Sequence, residues 1–474
     1  MRSIRPLDQS ILTTFSPGFG GATVPEWIKP WLENGLGSVT LFASNTPNFE
    51  TTANLILDLR SYNPKVLVAI DEEGGDVTRL FVREGSRYPT PALLGQCDDE
   101  ELTTRSYNSM GIILKDLGID ITYAPVADVV AVESNPIVGV RSFGMSTDVV
   151  TRHVSAAIKG LQNAGIGACV KHFPGHGAVL EDSHHDLPRI KSTFADYENY
   201  HIRPFIEAIN SGVSAVMIGH LVIESIDPEM PASLSSKVIN EFLRKTLKFS
   251  GLVVTDALDM GAVGGPSKIH ESALKALVAG ADLLCFSGMG DQSQFVAASL
   301  ECISEAVQSG KFNVDTLTEQ IDRVRGWKHP KIVDTPSKKG IDLRELIQGF
   351  EISGDVELPA EPVNLIEIGT KPTIAAGDVS WGIHRELRAV GIGCDIHASD
   401  AETLSSKQLV VAFRDAYRDD ALLATLNRLS VRHHNAIFID MGWPTREFSP
   451  KNLIRAFGSS AVISQAVAAR IRNS

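Results

Sequence analysis

The chain is short of cysteine: 474 residues hold five, never paired as Cys-x-x-Cys. An odd, unpatterned set excludes a disulfide framework and a cysteine-based zinc site. Cys169 and Cys285 sit in apolar runs, where a thiol behaves as a small hydrophobe. Positive charge is scarce too: 44 Lys plus Arg against 57 Asp plus Glu leave a net charge of −13. With no basic patch, neither nucleic acid nor an anionic membrane is a natural partner. No apolar run reaches the roughly 18 residues a membrane span needs. Met1–Asp8 lacks the apolar core of a leader, so the expectation is a protein of a reducing cytoplasm. Hydrophobic residues make up 43% of the chain, enough for a sizeable core. Nothing in the composition bears on oligomeric state.

What the chain does have is a sequence of short apolar runs separated by segments of helical period. The strand candidates are Ser10–Phe15, Gly37–Phe42, Val66–Ile70, Ile119–Ala124, Ala168–Lys171, Ala215–Ile218, Gly251–Thr255 and Asp282–Phe286. Apolar strands alternating with amphipathic helices predict a parallel sheet covered by helices. Eight such units fit a (β/α)8 barrel over 1–325. The rival, a doubly wound sheet, would want a G-x-G-x-x-G turn after the first strand, and Ser16–Gly21 lacks that spacing. Residues 326–360 read as a charged, Pro/Gly-punctuated linker. From 361 to 474 a second βα pattern predicts a small three-layer α/β sandwich, with strands at Val363–Ile368, Thr373–Ala376, Gln408–Phe413 and Ala436–Asp440. No catalytic motif is evident in it.

A barrel places its chemistry at the C-terminal ends of its strands. The unusual polar groups fall there: Asp71-Glu72-Glu73 after the third run, Asp128 after the fourth, Lys171 and His172 at the fifth, His220 after the sixth, Asp256 at the seventh. Between Lys171 and His184 lie three histidines, a lysine and two carboxylates, with Pro174, Gly175 and Gly177 forbidding a helix. The same proline rules out a helical H-x-x-x-H metal pair at His172 and His176, so no metal and no cofactor is expected. Asp256 ends an apolar strand, where a carboxylate is either a helix cap or a nucleophile. Asp71 is an equal candidate on position alone. Asp182-Ser183-His184 offers a proton donor: an aspartate two residues from a histidine fixes its tautomer and raises its pKa. A carboxylate facing a separate acid/base across a pocket is the apparatus of retaining glycoside hydrolysis.

Four ordered motifs then carry a family resemblance. They are Ala69–Gly75 with Arg79, Asn135-Pro136 with Arg141–Gly144, Lys171–Gly177 with Asp182-Ser183-His184, and Val254–Met260. Together they resemble the bacterial β-N-acetylhexosaminidases of glycoside hydrolase family 3. The resemblance implies Asp256 as nucleophile, His184 as acid/base and Asp182 as its dyad partner. It further implies that Asp71, Arg79, Arg141, Lys171 and His172 bind the sugar. Without it, ordinary alternatives stand beside these roles: Arg141 as an ion-pair partner and Arg79 as a helix-surface residue. Two positions depart from the family pattern: Val140 stands where an aspartate is common, and Asp76 where a basic residue is. The implied activity is exo-acting retaining β-N-acetylglucosaminidase, on a small saccharide containing N-acetylglucosamine such as a peptidoglycan fragment or chitooligosaccharide. A phosphorylase is the alternative, because a neutral histidine acid/base does not repel phosphate. A non-catalytic sugar-binding protein is the third reading.

Overall fold

The computed structural model describes residues 4–132, 135, 137–179, 187–333, 339–359, 361–401 and 404–472. Its first element is a helix, Pro6–Leu12, where the pattern suggested a strand from Ser10. Pro6 opens the helix at a position whose N–H has no partner anyway, and Asp8 accepts the Arg5 backbone N–H at 3.0 Å, closing the first turn. The strand begins later, as β1 (Phe15–Pro17).

Six further strands follow: β2 (Ser38–Leu41), β3 (Leu67–Ile70), β4 (Ile121–Thr122), β5 (Gly167–Phe173), β6 (Ala215–Ile218) and β7 (Leu252–Thr255). They form one parallel sheet in chain order. The last, β8 (Leu284–Phe286), pairs in parallel with β1. Bridges from Gly18 to Thr40 and from Val254 to Leu283 join the two sheets at both edges, so eight strands close into a barrel. Alternation explains their composition. Leu67 and Ala69, Leu252 and Val254, and Leu283 and Cys285 point into the barrel, while Val68, Ile70 and Val253 pack outward under the helices. With both faces buried, each large side chain contributes roughly 1.5–3 kcal/mol.

The helices are set by caps. Asn48 accepts the Thr51 N–H ahead of Phe49–Tyr62, and Asp99 accepts the Leu102 N–H ahead of Glu100–Leu117, which Gly118 ends with φ of 89°. Among the described residues no helix is long and apolar enough to cross a membrane.

The stretch read as linker has structure of its own. A capping box between Asp342 and Glu345 starts the helix Leu343–Ile347, and Arg105 on the barrel holds Glu345 at 3.1 Å. Then β9 (Glu351–Ser353) becomes the antiparallel edge of a second sheet. That sheet adds β10 (Val363–Gly369), β11 (Cys394–His397), β12 (Leu409–Arg414), β13 (Ile437–Asp440) and β14 (Asn452–Arg455), in the order β9-β14-β13-β12-β10-β11. Leu422, Leu426 and Leu429 of the helix Asp420–Arg432 cover one face. The helix Ala461–Ile471 packs with the other, giving three layers.

One expected strand is absent. Thr373–Ala376 forms a turn, because Pro372 cannot donate to a ladder and Thr373 closes the loop on itself. Its Oγ1 accepts the Ala376 N–H at 3.2 Å and its carbonyl accepts the Gly377 N–H at 2.9 Å. The two sheets' domains touch directly. Ser380 N–H donates to the Val82 carbonyl at 2.8 Å, Tyr417 hydroxyl to the Asn135 carbonyl at 3.2 Å, and Ser459 hydroxyl to Asp76 at 3.1 Å.

Candidate active site at the barrel mouth

The strands' C-terminal ends surround a cavity of about 380 Å3, lined by Asp71, Glu73, Arg79, Arg141, Lys171, His172, His176 and Asp256 among others. Six of the eight residues singled out from sequence therefore line one space. The other two, Asp182 and His184, lie outside the described residues.

On the β3 side the site is built on a buried ion cluster. Glu73, 1% exposed, takes two of the three Arg141 guanidinium nitrogens, Nε at 2.8 Å and Nη2 at 2.7 Å, and Lys171 Nζ at 2.6 Å. Burial by itself would raise the Glu73 carboxyl; Arg141 and Lys171 outweigh it and hold the group far below the usual carboxylate range. Lys171 also reaches Asp71 at 2.6 Å. Burial works to neutralise this lysine, but the Asp71 and Glu73 carboxylates keep its pKa raised and its charge in place. Arg141 is thus both an ion-pair partner and a pocket residue. Glu73 and Asp128 carry no role in the motif reading, although Glu73 sits in the sequence beside Asp71.

Asp128 organises the β5 loop. Its Oδ1 accepts the backbone N–H of His176 at 2.7 Å and of His172 at 3.2 Å, and its Oδ2 meets His172 Nδ1 at 2.7 Å. A carboxylate at Nδ1 assigns the proton there, leaving Nε2 to accept from Arg141 Nη2 at 3.5 Å. The Lys171–His172 and Phe173–Pro174 peptides are cis. His176 is 2% exposed, and neither ring nitrogen has a hydrogen-bond partner among the described residues. Burial first, then the His172 ring, lowers its pKa to about 4, so it is neutral at pH 7.

Arg79 is not on a helix surface. Its guanidinium lies 3.6 Å from Asp71 and donates to the Ala375 carbonyl at 2.9 Å. The loop that aims it is held by buried Glu72, whose Oε2 accepts the N–H groups of Arg79 at 2.9 Å and Leu80 at 3.1 Å. Burial raises the Glu72 carboxyl to about 7, the reverse of its neighbour Glu73. Ile374 and Ala375 line the cavity, so the second domain reaches the site although its sequence carries no catalytic motif. An isoleucine in a turn carries no motif; the only signal was Pro372, which argued against a strand. Asp76, one of the two departures, faces the Ser459 hydroxyl of that domain at 3.1 Å.

Across the mouth, Asp256 follows β7 half-buried, with Oδ1 accepting the Ala257 N–H at 2.8 Å. Behind it, His220 Nε2 meets the Ala257 carbonyl at 2.9 Å, fixing the turn that carries the carboxylate. Asp259 accepts both the N–H, at 2.9 Å, and the hydroxyl of Ser287.

Opposed carboxylates over a cationic base, at the open end of a parallel barrel, define a glycoside hydrolase. The chain belongs to glycosyl hydrolase family 3, whose N-terminal domain model matches residues 21–326. It is 32% identical over 300 residues to a β-hexosaminidase of Nitrosomonas eutropha, a match covering 61% of this chain and 85% of the relative. Among solved structures it resembles a family 3 β-N-acetylglucosaminidase from Paenibacillus sp. FPU-7, with TM-score 0.88, 27% identity, and 98% and 96% of the two chains covered. It also resembles the Neisseria gonorrhoeae NagZ in complex with N-trifluoroacetyl-D-glucosamine, with TM-score 0.55 and 28% identity. That match covers 66% of this chain and 97% of the other.

Proposed function

We propose that the protein is an exo-acting, retaining β-N-acetylglucosaminidase. The observation that carries this reading is Asp256: a half-buried carboxylate opening on the cavity, opposite the hydroxyl-binding set Asp71, Arg79 and Lys171. The relatives' names support the sugar. A carboxylate such as Asp71 accepts from sugar hydroxyls, while Lys171, Arg79 and Arg141 donate to their oxygens.

The reaction runs in two steps. Asp256 attacks the anomeric carbon as the glycosidic C–O bond breaks, and the departing oxygen takes a proton from His184, whose ring Asp182 orients. Water then attacks the same carbon, gives a proton back to His184 and releases Asp256. Two inversions return the β-configured sugar. Small substrates such as peptidoglycan fragments and chitooligosaccharides suit a site of this size.

The test is 1H NMR of an aryl N-acetyl-β-glucosaminide during turnover, with and without phosphate. The expected first product is the free β-anomer in both buffers, and none with Asp256→Asn. A first-formed α-anomer, or full activity in Asp256→Asn, would overturn the mechanism. A sugar 1-phosphate would assign the chain as a phosphorylase.

A further inference from the structure

Asp71 follows β3 and Asp256 follows β7, four strands apart in an eight-stranded ring, so they stand on opposite sides of the mouth. A hexopyranose has its anomeric carbon and its 4-hydroxyl at opposite ends of the ring. With C1 against Asp256, the 4-hydroxyl end points at Asp71 and Arg79. This placement rests on Asp256 being the nucleophile.

What lies beyond that end belongs to the second domain. Arg79 donates from Nη2 to the Ala375 carbonyl at 2.9 Å and from Nη1 to the Ala376 carbonyl at 3.5 Å. Ile374, next in the turn, lines the cavity while 48% exposed, so it is a lip of the pocket rather than part of the core. The turn is not a loose flap. Thr373 closes it, and the domain behind it is tied to the barrel through Ser380 to Val82, Tyr417 to Asn135 and Ser459 to Asp76.

We propose that the turn at 373–377 is the end wall of the sugar site, and that Ile374, fixed in place by Arg79, makes the enzyme exo-acting. A saccharide extended beyond its terminal residue has to pass where Ile374 and the Arg79–Ala375 bond now stand. A β-branched side chain on a tethered turn has few rotamers in which to move aside. The second domain thereby sets which end of a chain is cut, while the barrel carries the chemistry.

The experiment uses the full-length chain and two fluorogenic substrates. One is 4-methylumbelliferyl N-acetyl-β-glucosaminide; the other carries a second N-acetylglucosamine, β-1,4-linked, on the first. Release of intact disaccharide from the second is divided by release of monosaccharide from the first, so that a general loss of activity cancels. Wild type should give a ratio below about one in a hundred. Ile374→Ala and then Ile374→Gly should raise it stepwise, at least tenfold for glycine, in the order of volume removed. A ratio unchanged in both variants, or intact disaccharide released freely by wild type, would overturn the end wall. Loss of the Asp256 assignment would show separately, as full activity in Asp256→Asn.

Discussion

Replacing Glu73 with glutamine keeps the side chain's size and removes its charge. What remains is two cations, Arg141 and Lys171, 8% and 3% exposed, with Asp71 the carboxylate still in contact with Lys171. Contact-distance charges at an effective dielectric of 20 interact by about 4 kcal/mol. Removing one partner of a buried pair typically costs about 3–5 kcal/mol. The two routes agree, and for a large domain such a loss lowers Tm by about 6–10 °C. The assay is thermal unfolding of the wild type, Glu73→Gln, Arg141→Gln and the double variant. The double variant should be less destabilised than the sum of the singles by about 2 kcal/mol, within the range found for residues in direct contact. The effect has a sign in pH as well. The folded-state pKa of Glu73 is depressed, so its contribution is present above the unfolded value of about 4.3 and is lost as pH falls below it. Wild type and Glu73→Gln should therefore converge in acid. A single-variant loss under about 1 kcal/mol at pH 7 would refute the claim that this carboxylate anchors the mouth, because buried partners cost more than that.

Glu72 should behave in the opposite way. Its folded-state pKa is raised to about 7, so the native state binds more protons than the unfolded chain between about pH 4.3 and 7, and stability falls across that window by about 3–4 kcal/mol. Glu72→Gln should flatten that fall in denaturant titrations at stepped pH; an identical slope in both proteins would contradict it. Asp128→Asn puts an amide nitrogen against donors that now converge on a carboxylate, and it removes the group that fixes the His172 tautomer. Its kcat/KM on aryl substrate should drop about 10–100-fold, a loss typical of orienting partners. Activity within twofold of wild type would mean that His172 needs no orientation.

The barrel was legible because its strands are buried on both faces and so run apolar, and because the polar residues that interrupt them cluster at one end. Asp71, Arg79, Arg141, Lys171, His172 and Asp256, scattered over 186 positions of sequence, line one cavity for that reason. What was hidden depends on partners far along the chain. Glu72 and Glu73 are adjacent and chemically identical, yet one lies against backbone N–H groups and the other against two cations. No local pattern distinguishes them. The Thr373–Ala376 turn read as a strand because isoleucine and alanine are apolar, and its link to Arg79 crosses nearly 300 positions. The departure at Asp76 becomes intelligible only with Ser459 beside it.

Charge is divided across the mouth in a way that suits the proposed chemistry. The lysine and arginines that line the cavity stand on the β3 to β5 side, where Glu73 and Asp71 engage Lys171 and Arg141. On the β7 and β8 side, the described lining residues are Asp256, Ala257, Asp259, Met260, Cys285, Ser287 and Met289, with no cation among them. Glycoside hydrolysis passes through an oxocarbenium-like state, with positive charge growing at the anomeric carbon. A cation beside Asp256 would oppose that charge and weaken the nucleophile. Confining the cations to the far side, with Arg141 and Lys171 tied to buried Glu73 and Arg79 to Asp71 and the Ala375 carbonyl, would let them orient hydroxyl groups without raising the potential where the bond breaks. In the proposed mechanism, the ion cluster on β3 is what lets strong hydrogen-bond donors share one small cavity with Asp256 as an unopposed nucleophile.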